Sequence, residues 1–130
     1  MKLVISFPGN KKVTAGFNGF TVTTDQPTDH GGNGTDPAPF ELFLASIGTC
    51  AGYFVKAFCD ERNLNTEGLS ITEEAIWDPK EHRLSHLDLT LHLPVGFPEK
   101  YKPAVISAAN LCSVKKAIAN PPEFSIRAES

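Results

Sequence analysis

The sequence predicts an α+β domain: three short N-terminal strands, one long central helix, two further strands, C-terminal helices and a closing strand. Three observations carry this. Asn18-Gly19 precedes the alternating run Phe20-Thr21-Val22-Thr23-Thr24, a strong two-residue hairpin signal. The stretch PAPFELFLASIGTCAGYFVKAF, residues 37–58, is apolar without strand alternation. Leu87, Leu89, Leu91 and Leu93 alternate with His86, Asp88, Thr90 and His92, the period of a half-buried strand. A chain of 130 residues suits a single domain, 1–130, with one core.

Taken in order, Lys2 to Phe7 and Lys12 to Phe17 are β-prone runs separated by Pro8-Gly9-Asn10, and Phe20 to Thr24 completes a meander. MKLVISFPGN is too short in its apolar run for a secretory signal and reads as the first strand. DQPTDHGGNGTDPAP is a loop by composition; it has neither a Gly-Lys-Ser/Thr ending nor GxGxxG spacing, so it leads into a helix rather than cradling a phosphate. The helix runs from about Pro39 to Arg62 and is apolar around most of its circumference. Such a helix is buried on all sides, inside a domain or across a dimer contact. Leu69 to Trp77 and Arg83 to Leu93 form two strands around Asp78-Pro79-Lys80-Glu81. Pro98 to Leu111 is helical, with Pro103 in its first turn. Ser113 to Ala119 adds a turn or two, stopped by Asn120-Pro121-Pro122, and Phe124 to Ala128 is the closing strand.

Composition excludes several functions. Hydrophobic residues make up 41% and charged residues 21%, an ordinary globular mix. A net charge of −3, with twelve Lys and Arg and no basic run beyond two residues, argues against nucleic acid as a partner. No stretch approaches about 18 uninterrupted apolar residues, so no membrane span is expected. Three cysteines, an odd number, point to a reducing compartment, the cytoplasm.

The cysteines differ by position. On a helix, Cys59 lies opposite Cys50 and about 13 Å along the axis, so those two cannot form a disulfide. Cys59, among Gly48, Gly52 and Val55, reads as a buried structural thiol. Cys50 shares its face with Phe43, Ser46, Ile47, Tyr53, Phe54 and Ala57, an apolar lining with two hydroxyls. Cys112 sits in LCSVKKA at a break between helical pieces, where free N–H groups and Lys115 and Lys116 favour a thiolate. The spacing leaves open whether Cys50 and Cys112 meet. On β-strand geometry only His86 and Asp88 could share an ion, and the solvated face of a strand explains them better, so no metal is expected. Trp77 and Tyr101 read as packing residues. Ser46 beside Cys50 leaves a weak acyl-transfer alternative.

PAPFELFLASIGTC, with LCSVKKAI placing a second cysteine 62 residues later, resembles the superfamily of osmotically inducible protein C (OsmC) and organic hydroperoxide resistance protein (Ohr), in its general OsmC-like branch. The resemblance spans essentially the whole chain. It implies an intertwined homodimer and a thiol-dependent peroxidase, with Cys50 attacking an organic hydroperoxide and Cys112 resolving the product as a disulfide. Phe43, Ile47, Tyr53 and Phe54 would line the substrate site. A small or protein dithiol would be the reductant, and no cofactor is implied. Two departures stand out. In the hydroperoxide-resistance branch an arginine from the N-terminal strands, itself held by a glutamate, steadies the thiolate, yet residues 1–61 contain no arginine. Lys11, Lys12, His30, Arg83 and Arg127 match no motif position. Glu41 lies one position closer to the cysteine than that branch's glutamate, whose place Phe40 takes. Kept among the catalytic candidates, Glu41 either caps the helix start or faces the partner's site. The rival expectation is a non-catalytic homodimer that binds a small hydrophobic molecule or senses redox state.

Overall fold

A computed structural model describes residues 1–130. The chain divides into two compact units, Met1–Ala45 and Ser46–Ser130.

The first unit contains β1 (Val4–Gly9), β2 (Lys12–Phe17) and β3 (Phe20–Thr24), an antiparallel sheet in the order β1-β2-β3. The expected two-residue turn is present: Asn18 and Gly19 have φ of 49° and 79°, and Phe17 pairs with Phe20. Positive φ at both positions matches the right-handed twist of the strands, and Asn and Gly tolerate it best.

The Gly-rich loop after β3 is organised around one carboxylate. Asp25 is fully buried and accepts hydrogen bonds from the N–H groups of Gln26 (2.8 Å), Asn33 (3.2 Å) and Thr35 (3.3 Å) and from Thr35 Oγ1 (3.1 Å). An ion pair of Lys12 with Asp36 ties the loop to β2. Gly32 is obligatory here, since a Cβ would stand 1.9 Å from the Gln26 carbonyl oxygen. The donors, Gln26 N–H foremost, hold the Asp25 carboxyl below its ordinary range. A depressed native pKa gives stabilisation that is complete above the ordinary carboxylate value, about 4, and is lost as pH falls below it. Asp25→Asn is therefore expected to lower the thermal midpoint at pH 7 and to matter much less at pH 3. Equal losses at both pH values would refute this role.

Helix α1 (Pro39–Glu61) begins with proline at its first position, and Glu41 Oε1 accepts the Ala38 N–H at 2.9 Å. It ends where Asn63 turns to φ 52° and the Leu64 N–H returns to the Cys59 carbonyl. Its 23 residues are long and apolar enough, by length and composition alone, to cross a membrane. The expected all-round burial is not met within one chain. Ile47, Ala51, Val55, Phe58 and Cys59 are buried, a stripe at spacings of three and four, whereas Tyr53 is 66% exposed. One chain supplies a partner surface for only one side of the helix.

In the second unit β4 (Ser70–Asp78) pairs antiparallel with β5 (Arg83–His92). Leu87, Leu89 and Leu91 turn inward while His86, Asp88, Thr90 and His92 face solvent, as their alternation predicts. A single 3₁₀ turn, Glu99–Tyr101, leads into α2 (Lys102–Ala109), with Pro103 in its first turn, and α3 covers Ser113–Ala119. Proline fits there because the first turn's N–H groups have no intrahelical partner. Val55, Phe58, Cys59, Val105 and Ala108 form the core, flanked by Leu64, Leu69, Ile71, Leu91 and Leu93.

The closing strand expected over Phe124 to Ala128 is not formed. Residues 121–130 have no regular structure, and Phe124 and Ile126 are 85% and 98% exposed. A strand is held by backbone pairing, and within one chain this segment pairs with no other strand.

Candidate functional site: a thiol pair between two helices

Cys50 and Cys112 come together in the second unit. Cys50 lies in the middle of α1, and Cys112 is the N-cap residue of α3. The Cys112 thiol lies close enough to the Cys50 sulfur to favour its thiolate. The Cys112 S–H donates to the Ile47 carbonyl oxygen, 3.9 Å from the sulfur, and the sulfur accepts the Lys115 N–H at 3.4 Å. Ser113 Oγ is 3.7 Å from Cys50 Sγ. Three residues, Asn110 to Cys112, connect α2 to α3.

These contacts separate the two thiols electronically. The Cys50 pKa is lowered to about 7, first by the Val114 N–H, then by the Cys112 thiol and by the hydroxyl and N–H of Ser113; desolvation opposes them. Cys112, buried to 1% exposure, moves the other way: burial pushes its thiol up, and the neighbouring Cys50 charge pushes in the same direction. The pair thus offers one sulfur that is about half ionised at neutral pH and one that stays protonated. Alkylation of Cys50 by iodoacetamide is expected to rise with pH through about 7 and to level off above it. A midpoint near 8.5, the ordinary thiol value, would contradict the hydrogen-bond pattern.

Beside Cys112 lies a cavity of about 340 Å³ lined by Ile47 and Ala51 of α1, the three inward leucines of β5, and Ile106, Ala109 and Ile118, with Asn110 and Lys115 as its polar members. Of the four residues expected to line a substrate site, Ile47 lines this cavity. Phe54 borders a separate groove with Phe58, Arg62 and Leu111. Tyr53 is exposed and meets Phe54 edge-on at 5.1 Å. Phe43 belongs to the first unit, where its ring lies 5.3 Å from that of Phe40. Glu41 is committed to the Ala38 N–H at the helix start. Cys59 is a wholly buried core residue whose thiol is pushed up by burial. His86 bonds Asp88 at 2.8 Å on the exposed sheet face.

Sequence reasoning missed Ser113 and Val114, because backbone N–H donors carry no residue signature. It also missed Glu73. This carboxylate sits on the inward face of β4 against Gly48, where a Cβ would stand 2.3 Å from Oε2. Burial raises its pKa, and its buried Oε1 has no hydrogen-bond partner. The one available signal was an acid at an inward position of an alternating strand.

Comparison with known proteins assigns the family. The model of the OsmC-like protein family matches residues 31–127. The chain belongs to the OsmC-like family. None of the curated proteins matches the sequence. Among solved structures, this OsmC-like chain is similar to a Psychrobacter arcticus 273-4 protein assigned to the osmotic stress induced and detoxification response: 17% identity, TM-score 0.76, covering 90% of this chain and 87% of that one. It is also similar to the organic hydroperoxide resistance protein OsmC of Legionella pneumophila: 20% identity, TM-score 0.59, covering 91% and 89%. At such identities the likeness concerns the fold, and the α+β OsmC-like architecture expected from the sequence stands.

Proposed function

We propose that this OsmC-like protein is a thiol-dependent peroxidase for organic hydroperoxides, acting in the cytoplasm as a homodimer and recycled by a small or protein dithiol. The observation that carries the reading is the contact between an acidified Cys50 and a protonated Cys112. The Cys50 thiolate attacks the outer oxygen of ROOH; the O–O bond breaks, and the alkoxide takes a proton from water and leaves as ROH. Cys50 is then a sulfenic acid. The Cys112 sulfur attacks it, an S–S bond forms, and hydroxide leaves and is protonated to water. The dithiol reduces the disulfide by exchange. Backbone and hydroxyl donors from the start of α3 serve where the hydroperoxide-resistance branch uses an arginine, so its absence from residues 1–61 does not deprive Cys50 of a stabilised thiolate. The apolar cavity beside Cys112 supports an organic rather than an inorganic peroxide.

The test is intact mass and peptide mapping of reduced protein treated with one equivalent of cumene hydroperoxide. A Cys50–Cys112 disulfide that forms quickly is the expected product. Free thiols, or indiscriminate oxidation that includes Cys59, would overturn the reading. Glu41 enters this scheme through the helix start alone. Glu41→Gln is expected to leave the pH profile of Cys50 labelling unchanged, and a displaced midpoint would restore it to the site.

A further inference from the structure

The start of α3 presents a hydroxyl that the helix itself does not need. In most helices a serine near the N-terminus caps the free N–H groups. Here the cap is the Cys112 sulfur, which accepts the Lys115 N–H. Ser113 Oγ is left for Cys50 Sγ, 3.7 Å away and 63 residues distant in sequence. The groups that chiefly favour the Cys50 thiolate are the Val114 and Ser113 N–H groups, the Cys112 thiol and this hydroxyl. The Cys112 thiol is consumed in forming the disulfide, and the Val114 and Ser113 N–H groups are fixed by the helix. Only the Ser113 hydroxyl can rotate.

We infer that Ser113 is a catalytic residue: its hydroxyl donates to the Cys50 thiolate before attack and turns to the departing oxygen as the O–O bond breaks. This rests on the peroxidase reading. As Cys50 sulfur bonds the outer oxygen of ROOH, its negative charge passes to the inner oxygen. A donor that follows the charge stabilises the transition state more than the ground state, which is the condition for acceleration. Ser113 keeps its own proton. The residue is exposed, so water protonates the alkoxide, and the products are Cys50 sulfenic acid and ROH. A fixed cation would hold the thiolate more tightly but would oppose its departure from sulfur.

The experiment compares wild type, Ser113→Ala and Ser113→Thr in two readouts: the pH profile of Cys50 alkylation by iodoacetamide, and the second-order rate of Cys50 oxidation by cumene hydroperoxide. Alanine keeps the backbone N–H and removes only the hydroxyl, and circular dichroism checks that the fold is retained. Ser113→Ala is expected to move the alkylation midpoint upward and to slow oxidation about tenfold, even at a pH where the thiol is fully ionised, an effect the size of one lost hydrogen bond to a charged group. Threonine should restore both. If wild type reacts with the peroxide and Ser113→Ala reacts equally fast at high pH, the inference fails while the peroxidase reading survives. If threonine fails to restore what alanine removes, the loss is structural and the inference is likewise overturned. If wild type itself is inert toward the peroxide, the peroxidase reading fails and the inference falls with it.

Discussion

Cys50→Ser is expected to reduce hydroperoxide consumption to the uncatalysed background. An ordinary thiol is ionised to only a few per cent at pH 7, whereas Cys50, with its pKa near 7, is about half thiolate. A serine hydroxyl does not ionise in this range, and the oxygen nucleophile that remains cannot take up the peroxide oxygen reversibly. Cys112→Ser is expected to behave differently. It should permit one rapid oxidation and then stop, because the sulfenic acid has no thiol to condense with. Dimedone trapping and intact mass distinguish the two: a single trapped adduct at Cys50 in Cys112→Ser, none in Cys50→Ser. Continued turnover by Cys112→Ser with a dithiol would show that the second cysteine is dispensable and that an external thiol resolves the sulfenic acid. Adduct formation at Cys112 in Cys50→Ser would reverse the assigned roles. That outcome is opposed by the burial of Cys112, which keeps its sulfur protonated.

Phe58→Ala is expected to be the most destabilising single truncation in the second unit, by about 3–5 kcal/mol. Phe58 is 8% exposed and belongs to the core cluster. Its ring meets Tyr101 edge-on at 5.9 Å, and the Arg62 guanidinium lies 3.7 Å from its centroid. Truncation would therefore remove apolar burial, an aromatic pair and a cation–π contact together. The packing it maintains joins the end of α1 to the 3₁₀ turn that precedes α2. Chemical denaturation followed by tryptophan fluorescence measures the loss. A change below about 1 kcal/mol would mean that the cluster collapses into the space with little cost. Arg62→Leu separates the terms, since it removes the cation while leaving the ring buried, and a much smaller loss is expected there.

The elements were legible in the sequence wherever a local pattern decides them. Asn18-Gly19 fixes a hairpin because few residues tolerate two successive positive φ values, and that turn is present. The alternation from Leu87 to Leu91 fixes which side of β5 faces inward, because a strand's side chains reverse at every residue. Pro39 marks the start of α1 because its missing N–H costs nothing there. Local pattern failed where pairing or partners decide. Phe124 and Ile126 carry a strand-like alternation, yet alternation supplies no partner, and within one chain the segment stays unpaired. The apolar circumference of α1 is visible in its residues, but which arc the chain covers is set by where β4, β5 and α2 pack.

The site divides in the same way. The sequence by itself determined that Cys50 stands in an apolar helix, that Cys112 stands at a helix start, and that no arginine precedes residue 62. Only the tertiary structure decided that the two sulfurs meet and that Cys50 is the acidified one. Only the tertiary structure showed that Ile47 borders the cavity beside Cys112 while Tyr53 and Phe54 do not. The reason is physical. Residue type fixes what a group can donate or accept, but a thiol's acidity is set by donors brought from distant parts of the chain. Here those donors are largely backbone N–H groups, which every residue except proline carries and no sequence pattern marks.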